Sequence, residues 1–495
     1  MYKWFANGAD RTRKSWVRPV VTCALLMLAI VIGDCRAVSA LPTGKVMAIP
    51  AFARKYGLPC SACHTAWPEL NNFGLVFRDN GYQLMNDRDS PIWQNPSYFP
   101  ITFRITPQWH RESTSNQQVD STPNGTGVGN VTVSRNVTQA GFDLSGMDLW
   151  SAGTLYKNIS FQLLPSSDSF AVWHFESAWV RFDNIKGSSW LNFKFGRFEL
   201  DNLISEKRFL FLSANGGLYQ TYHFDVPGSI NDFGIGDNQI GMELAGHNAD
   251  SSMRYSIALL SSNEGGTGLT ESNLPGGLPS NRSFDGYMAF TKSFNAGSWG
   301  YEQFQAYAYV GQRGTYYQTT SAGGGGPVPL VALGNEPFYR VGFAGQLHFK
   351  NLELLPYFMH GHDSAYLGTG LPDTAGLPVG AKAPTFNGGF IEGQYFVNPQ
   401  LVFFGRFEKI GVTQQAFVNE GAVPGNFGDV TAYSVGYRYY PIMFSRAGLA
   451  WHNEYSITKS IGIVPLSGDG SGLPPLLPTN GVWSSSVFIG FDFDF

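Results

Sequence analysis

Cys60-Ser61-Ala62-Cys63-His64 sets two thiols three positions apart and an imidazole directly after the second. That is the spacing that attaches a c-type haem. Each thiol adds across one porphyrin vinyl group, and the two-residue gap matches the separation of the vinyls. The next residue then turns a ring nitrogen to the iron as an axial ligand. Two other chemistries use a similar pair. A thioredoxin-like redox couple has no use for the histidine and belongs to a βαβ unit, which the flanking sequence lacks. A structural zinc site needs two further ligands, and no second Cys/His cluster follows. The residues therefore point to one covalent haem c, attached at Cys60 and Cys63, with His64 as proximal iron ligand. For the distal position Met85 is the leading candidate, with Met47 and His110 as competitors.

A short helix is expected to position this stretch. Pro68-Glu69 suits a first helical turn. Trp67, Leu70, Phe73 and Phe77 recur at spacings of three and four, which makes one apolar face. Asn80-Gly81 supplies a stop. In so small a unit the core would be the porphyrin itself.

The same stretch carries a resemblance. Pro50-Ala51-Phe52-Ala53-Arg54-Lys55-Tyr56, then Cys60 to His64, Pro68-Glu69-Leu70-Asn71, Phe73-Gly74 and Asn80-Gly81-Tyr82 resemble the fused outer-membrane cytochrome–porins. That family is best known for the single-haem iron oxidases of iron-oxidising bacteria. The resemblance covers about forty residues of the haem segment, and beyond it only architecture matches. It implies a cytochrome domain that plugs a barrel in the outer membrane. Extracellular Fe(II) would be the electron donor and a periplasmic cytochrome or other carrier the acceptor.

Composition agrees with a barrel. Only 14% of residues are charged against 43% hydrophobic and 15% aromatic, and there are 59 glycines. Soluble domains average about 25% charged residues. Lys3, Arg11, Arg13, Lys14 and Arg18 precede an apolar run from Val20 to Ile32, and Val38-Ser39-Ala40 offers small residues for cleavage. This reads as an export leader over residues 1–40. The apolar run is too short to span a bilayer as a helix. Cleavage after Ala40 would remove Cys23 and Cys35, leaving only the haem pair among cysteines. It would also take the formal net charge from −4 to −8, since six Lys/Arg and two Asp leave with it. Such mild acidity argues against nucleic acid as a partner.

From residue 101 onward the pattern has period two. Tyr339, Val341, Phe343, Gly345, Leu347 and Phe349 alternate with Arg340, Gly342, Ala344, Gln346, His348 and Lys350. Tyr433, Val435, Tyr437 and Tyr439 alternate with Ser434, Gly436 and Arg438, and Ile240, Met242 and Leu244 with Gly241, Glu243 and Ala245. A soluble sandwich with one wet face would show the same alternation. Three features favour a membrane barrel. Short turns near 295–297, 350–351, 398–400 and 441–445 alternate with long Gly/Pro-rich loops near 264–282, 314–337, 367–384, 411–428 and 462–481. The apolar face is rich in aromatics. The chain also ends on an alternating strand, Val487 to Phe495, with a terminal phenylalanine.

The expected architecture is an all-β transmembrane barrel of about sixteen antiparallel strands with a small α-helical haem domain, and the resemblance implies that this domain plugs the pore. Residues 1–40 are the leader, 41–100 the monohaem cytochrome domain and 101–495 the porin-like barrel. Arg340, His348, Arg438 and Asp492 are lumen-facing charges suited either to docking the plug or to lining a solvated porin interior. The expected location is the outer membrane, in contact with its lipid, with the cytochrome within or at the periplasmic side of the barrel. The expected function is Fe(II) oxidation by outer-sphere electron transfer. The alternatives are a diffusion porin with a haem sensor or gate, and a conduit whose donor or acceptor is not iron.

Overall fold

A computed structural model describes residues 51–66, 69–84, 101–120, 132–167, 172–204, 219–224, 234–236, 238–261, 284–318, 330–363, 385–418, 421–425, 428–443, 448–461, 463–465, 476–478 and 481–494. The leader, Met47, Met85 and Phe495 lie outside these residues.

Sixteen antiparallel strands close into a barrel. They are β1 Thr102–Asp120, β2 Thr132–Tyr156, β3 Ile159–Ser167, β4 Trp173–Phe182, β5 Asn192–Glu199, β6 Asn238–His247, β7 Met253–Ser261 and β8 Phe284–Asn295. The second half is β9 Tyr301–Gln318, β10 Leu330–Phe349, β11 Leu352–His362, β12 Thr385–Asn398, β13 Leu401–Val418, β14 Val430–Met443, β15 Gly448–Ser460 and β16 Val482–Asp494. Each pairs with the next. Closure comes from β16 on β1, in register from Trp483↔Ser115 to Asp494↔Arg104. The even count returns the C-terminal strand to the side on which β1 begins. A short strand, Gly421–Gly425, pairs back on the projecting end of β13.

The alternation falls as expected. Phe343, Val435 and Tyr433 stand 53, 57 and 51% exposed on the outside, whereas Arg340, Ser434 and Arg438 are each 1% exposed on the inside. A wall with an apolar exterior and a polar interior, without a free sheet edge, satisfies every backbone group in lipid. Short turns at Lys157–Asn158, 296–300, Lys350–Asn351 and Pro399–Gln400 mark one end, and the long connections mark the other. No helix among the described residues is long and apolar enough to cross a membrane.

The lumen is filled from two directions. Residues 51–84 form the first filling and share one compact unit with the barrel. Helices α1 (Ala51–Tyr56), α2 (Cys60–Cys63) and α3 (Asn72–Asp79) are joined by a clip in which His64–Ala66 pairs with Glu69–Leu70. The second filling is the connection from β5 to β6, whose described parts 200–204, 219–224 and 234–236 fold inward. Leu200, Ile204, Tyr222 and Ile235 are all buried there. As a result Glu353, Glu392 and Glu408, on the inner face of the wall, have no solvent exposure. A sixteen-stranded barrel is wider than its own side chains can fill, so inserted chain supplies this burial.

The helix after Cys60–His64 differs from expectation. It begins at Asn72, not Pro68, because Glu69-Leu70 is taken into the clip and Asn71 caps the helix instead. Phe77 is buried as expected, while Phe73 remains 44% exposed. Trp67 lies outside the described residues.

Candidate functional site

The Cys-Ser-Ala-Cys sequence forms one helical turn, so both sulfurs leave the same short element, and no disulfide joins them. Burial, and then the neighbouring Cys60, push the Cys63 thiol up to about 11. A redox-active pair needs the opposite shift. His64 leaves the turn in extended conformation, and its Nδ1 lies 3.2 Å from the backbone oxygen of Glu69. With Nδ1 donating there, Nε2 is the lone-pair nitrogen of the ring. Metal-binding histidines are typically oriented in this way.

The residues after the turn explain why it holds its shape. The Asn71 side-chain amide donates to the oxygens of Ser61 and Ala62, at 3.3 and 3.1 Å. Its backbone N–H donates to Cys63 O at 2.9 Å. Its Oδ1 accepts from Gly74 N at 3.0 Å, capping α3. One asparagine thus fastens the Cys60–Cys63 turn to the next helix. Gly74 permits the approach, since a Cβ there would lie 2.2 Å from Cys63 O. Phe52, Tyr56, Phe77 and Tyr82 form the aromatic core, with Phe52 stacked on Tyr82 at 5.0 Å and edge-on to Phe77 at 5.1 Å.

This unit is bound to the wall at the short-turn end of the barrel. Arg181 on β4 donates to the oxygens of Arg78 and Asp79 at 3.0 and 3.1 Å, capping the C-terminus of α3 from outside the helix. A cation at that end also meets the negative pole of the helix. The Tyr82 hydroxyl donates to Gln162 Oε1, and Gln83 donates to Lys157 O, each at 3.0 Å. Gly81, at φ +78°, leaves its αL turn clear of Asp183, whose carboxylate would lie 2.9 Å from a Cβ. Arg78 reaches Asp201 at 3.5 Å, and Arg254 lies 3.9 Å from both Asp79 and Asp201. Burial opposes the Asp79 charge, but Arg78, Arg254 and His247 outweigh it and hold this carboxyl down at about 2. On the opposite wall Gln346 contacts Glu69 at 3.3 Å. Burial, then the nearby Glu353, push the Glu69 carboxyl well above its usual range.

The expected docking charges behave differently. Arg340 pairs with Asp363 at 2.8 Å, and Arg438 with Asp492 beside His452, all within the wall. Of the four, His348 comes nearest in role. It lies 3.4 Å from Glu353, which shares Gln346 with Glu69. Alternation identifies which residues face the lumen but not which of them a plug will touch, so Arg181, Arg254, Gln162 and Gln346 went unmarked. His110 Nε2 is engaged by Ser486 Oγ at 2.9 Å across the β1–β16 seam. Among the described residues no group of three or more His, Cys, Asp or Glu is arranged to hold a metal ion.

The inward connection also escaped the sequence reading. Tyr219 donates to Glu392 at 2.8 Å, and Gln220 N donates to Glu408 at 2.9 Å. The Thr221 N–H and hydroxyl both donate to Glu408, each at 2.5 Å. Leu203 N donates to Gln305 Oε1 at 2.7 Å and Tyr287 OH to Asn202 Oδ1 at 2.8 Å. The available signal was a long interval without alternation that nonetheless carries Tyr219, Tyr222 and Phe224.

These features define a membrane β-barrel of the outer-membrane type whose lumen holds an N-terminal insert, and the protein is located in the outer membrane, in contact with its lipid. No protein-family profile matches the chain, and no curated protein matches it. Solved structures similar to it include an anion-selective porin from Comamonas acidovorans, at 10% identity and TM-score 0.45, covering 80% of this chain and 99% of that one. The channel DcaP of Acinetobacter baumannii is 10% identical with TM-score 0.42, covering 79% and 97%. A loop-deletion mutant of OmpT from Vibrio cholerae is 10% identical with TM-score 0.43, covering 80% and 100%.

Proposed function

We propose that this barrel carries electrons across the outer membrane, as in the cytochrome–porin family that residues 50–82 resemble, with extracellular Fe(II) as donor and a periplasmic carrier as acceptor. The observation that supports it is the Cys60–His64 turn, with the His64 Nδ1 proton directed to a backbone oxygen, lodged inside a closed barrel. Cys60 and Cys63 would hold a haem c, with His64 and, as the leading distal candidate, Met85 as its ligands, and it would supply a one-electron couple whose potential Met/His ligation favours at the high end.

The chain's own residues do the rest. The strands carry the site through an insulating bilayer. Asn71 and Gly74 hold the attachment turn, Arg181 and Gln162 fix its helix to the wall, and the inward connection restricts the lumen above it. An outer-sphere step needs no general base or nucleophile, only a donor within tunnelling reach. The full burial of Glu353, Glu392 and Glu408 favours this reading over free diffusion through the pore.

The test is spectroscopic. Detergent-purified mature protein should show one c-type haem per chain, and stopped-flow mixing with Fe²⁺ should reduce it. Haem that stays oxidised in excess Fe²⁺, at a potential able to accept, would remove iron as donor. Absence of haem absorbance would remove the whole proposal. Wide, stable conductance in planar bilayers would favour the diffusion porin.

A further inference from the structure

We propose that Gln346, on the barrel wall, is a positioning residue for the proximal haem ligand and acts on His64 through Glu69. The proposal rests on the haem reading above and goes beyond it. The barrel wall then helps orient the histidine as well as enclosing it.

The geometry runs in three links. His64 Nδ1 donates to the backbone oxygen of Glu69 at 3.2 Å, so whatever holds Glu69 holds that acceptor. The clip that contains Glu69 is two residues long on that side, and its register slips between His64 and Ala66. It is too short to fix the carbonyl by itself. The Glu69 side chain runs the other way, into the wall, and is 1% exposed. There its Oε1 accepts from Gln346 Nε2 at 3.3 Å, while its Oε2 has no hydrogen-bond partner.

Gln346 is itself oriented from behind. Its Oε1 accepts from Gln303 Nε2 at 2.8 Å, and the Gln303 Oε1 accepts from Ser293 Oγ at 3.2 Å. That relay runs across β8, β9 and β10, and it decides which end of the Gln346 amide faces the plug. The same Nε2 donates to Glu353 Oε1 at 2.6 Å. One amide therefore serves both buried carboxyl groups, and removing it takes away a wall donor that holds the Glu69 side chain, and with it the Glu69 carbonyl, in place.

The consequence follows from the imidazole. A carbonyl that accepts from Nδ1–H makes Nε2 a stronger donor to iron and favours the ferric state. Loosening Glu69 weakens that hydrogen bond and raises the midpoint potential. Gln346→Leu changes no formal charge, so a shift it causes is not simply the loss of a buried carboxylate.

The experiment compares full-length, detergent-purified holoprotein as wild type, Gln346→Leu and Ser434→Ala. Ser434 lies elsewhere in the lumen, paired with Ser456. Spectroelectrochemical titration reads the potential, and resonance Raman and EPR read the iron–histidine environment. The expected result is full haem loading in all three, with an upward potential shift and an altered histidine signature in Gln346→Leu alone. An unchanged potential and signature would overturn the proposal, and so would an equal shift in Ser434→Ala. Should Gln346→Leu fail to assemble, Gln346→Asn keeps the amide but shortens its reach. It should shift the potential in the same direction by less, and wild-type behaviour there would also overturn the proposal. A wild-type protein without haem refutes the functional reading instead, and that is read before any variant is made.

Discussion

Residues 78–83 meet the barrel through a cluster of ion pairs, with side-chain bonds to helix carbonyls and from Tyr82 and Gln83, whereas residues 219–224 meet it through donors gathered on the buried Glu392 and Glu408 and through tilted aromatic rings. At the first seam Arg181, Arg254, Asp79 and Asp201 surround a cavity of about 100 Å³, and none of the three Arg254 guanidinium nitrogens has a hydrogen-bond partner. At the second, Glu408 is surrounded by donors from Gln220 and Thr221. Tyr222 lies 4.8 Å from Tyr357, Tyr219 lies 5.0 Å from Phe390, and Arg406 lies over the Tyr219 ring at 3.9 Å. The first is a junction between two folded pieces, and the second behaves as a thickening of the wall. The difference shows that a lumen can be filled by docking or by folding inward, and that among the described residues the docked seam keeps a polar gap. Asp201, at the root of the inward connection, is where the two fillings meet.

The contrast can be broken most completely at the attachment turn. Cys60→Ser with Cys63→Ser should abolish haem absorbance and Fe²⁺-driven reduction, yet leave the heat-modifiable barrel band on gels, because neither thiol contributes to the wall. Next in size, Arg181→Ala uncovers two helix carbonyls and leaves the buried Asp183 without its cation. Breaking one partner of a buried pair costs about 3–5 kcal/mol. Amide hydrogen exchange in α3 should therefore quicken by about a hundredfold or more, while residues 219–224 keep their protection.

The converse change is Glu408→Gln, which weakens charge-assisted bonds from Gln220 and Thr221 by about 1.5–3 kcal/mol. Exchange should then rise in residues 219–224 and not in α3. If both segments loosen together in either variant, the two seams are one cooperative unit and the distinction fails.

A smaller effect is expected from pH. Asp79 is held at about 2, below its ordinary value of 3.8. A depressed folded-state value stabilises docking above the ordinary value, and that contribution is lost as pH falls through the depressed one. Protection of α3 should therefore be constant near neutrality and decline between about pH 4 and 2. Asp79→Asn should lower protection at neutral pH and flatten this decline. Smallest of all, Tyr433→Phe on the lipid-facing surface should change barrel stability by no more than about 0.5 kcal/mol in urea unfolding from micelles.

Local pattern carried most of what could be read in advance. A pentapeptide carries its proposed chemistry in its own spacing, so Cys60, Cys63 and His64 stand out as candidates without any partner. Period-two alternation has its facing built in as well, which is why Phe343 and Arg340 separate outside from inside without coordinates. The helix start was misjudged because a proline suited to a first turn precedes two residues that pair with His64–Ala66 instead. That pairing is a contact across a turn, and propensity does not record it.

By itself the sequence determined an even-stranded membrane barrel preceded by a single Cys-x-x-Cys-His stretch, because each signal is complete within a few residues. Only the tertiary structure decided that Arg181 caps α3, that Gln346 reaches Glu69 and that residues 219–224 cross to Glu392 and Glu408. These contacts join positions far apart in the chain. Every inward-facing polar residue looks alike in sequence until closure of the barrel sets it opposite a particular partner.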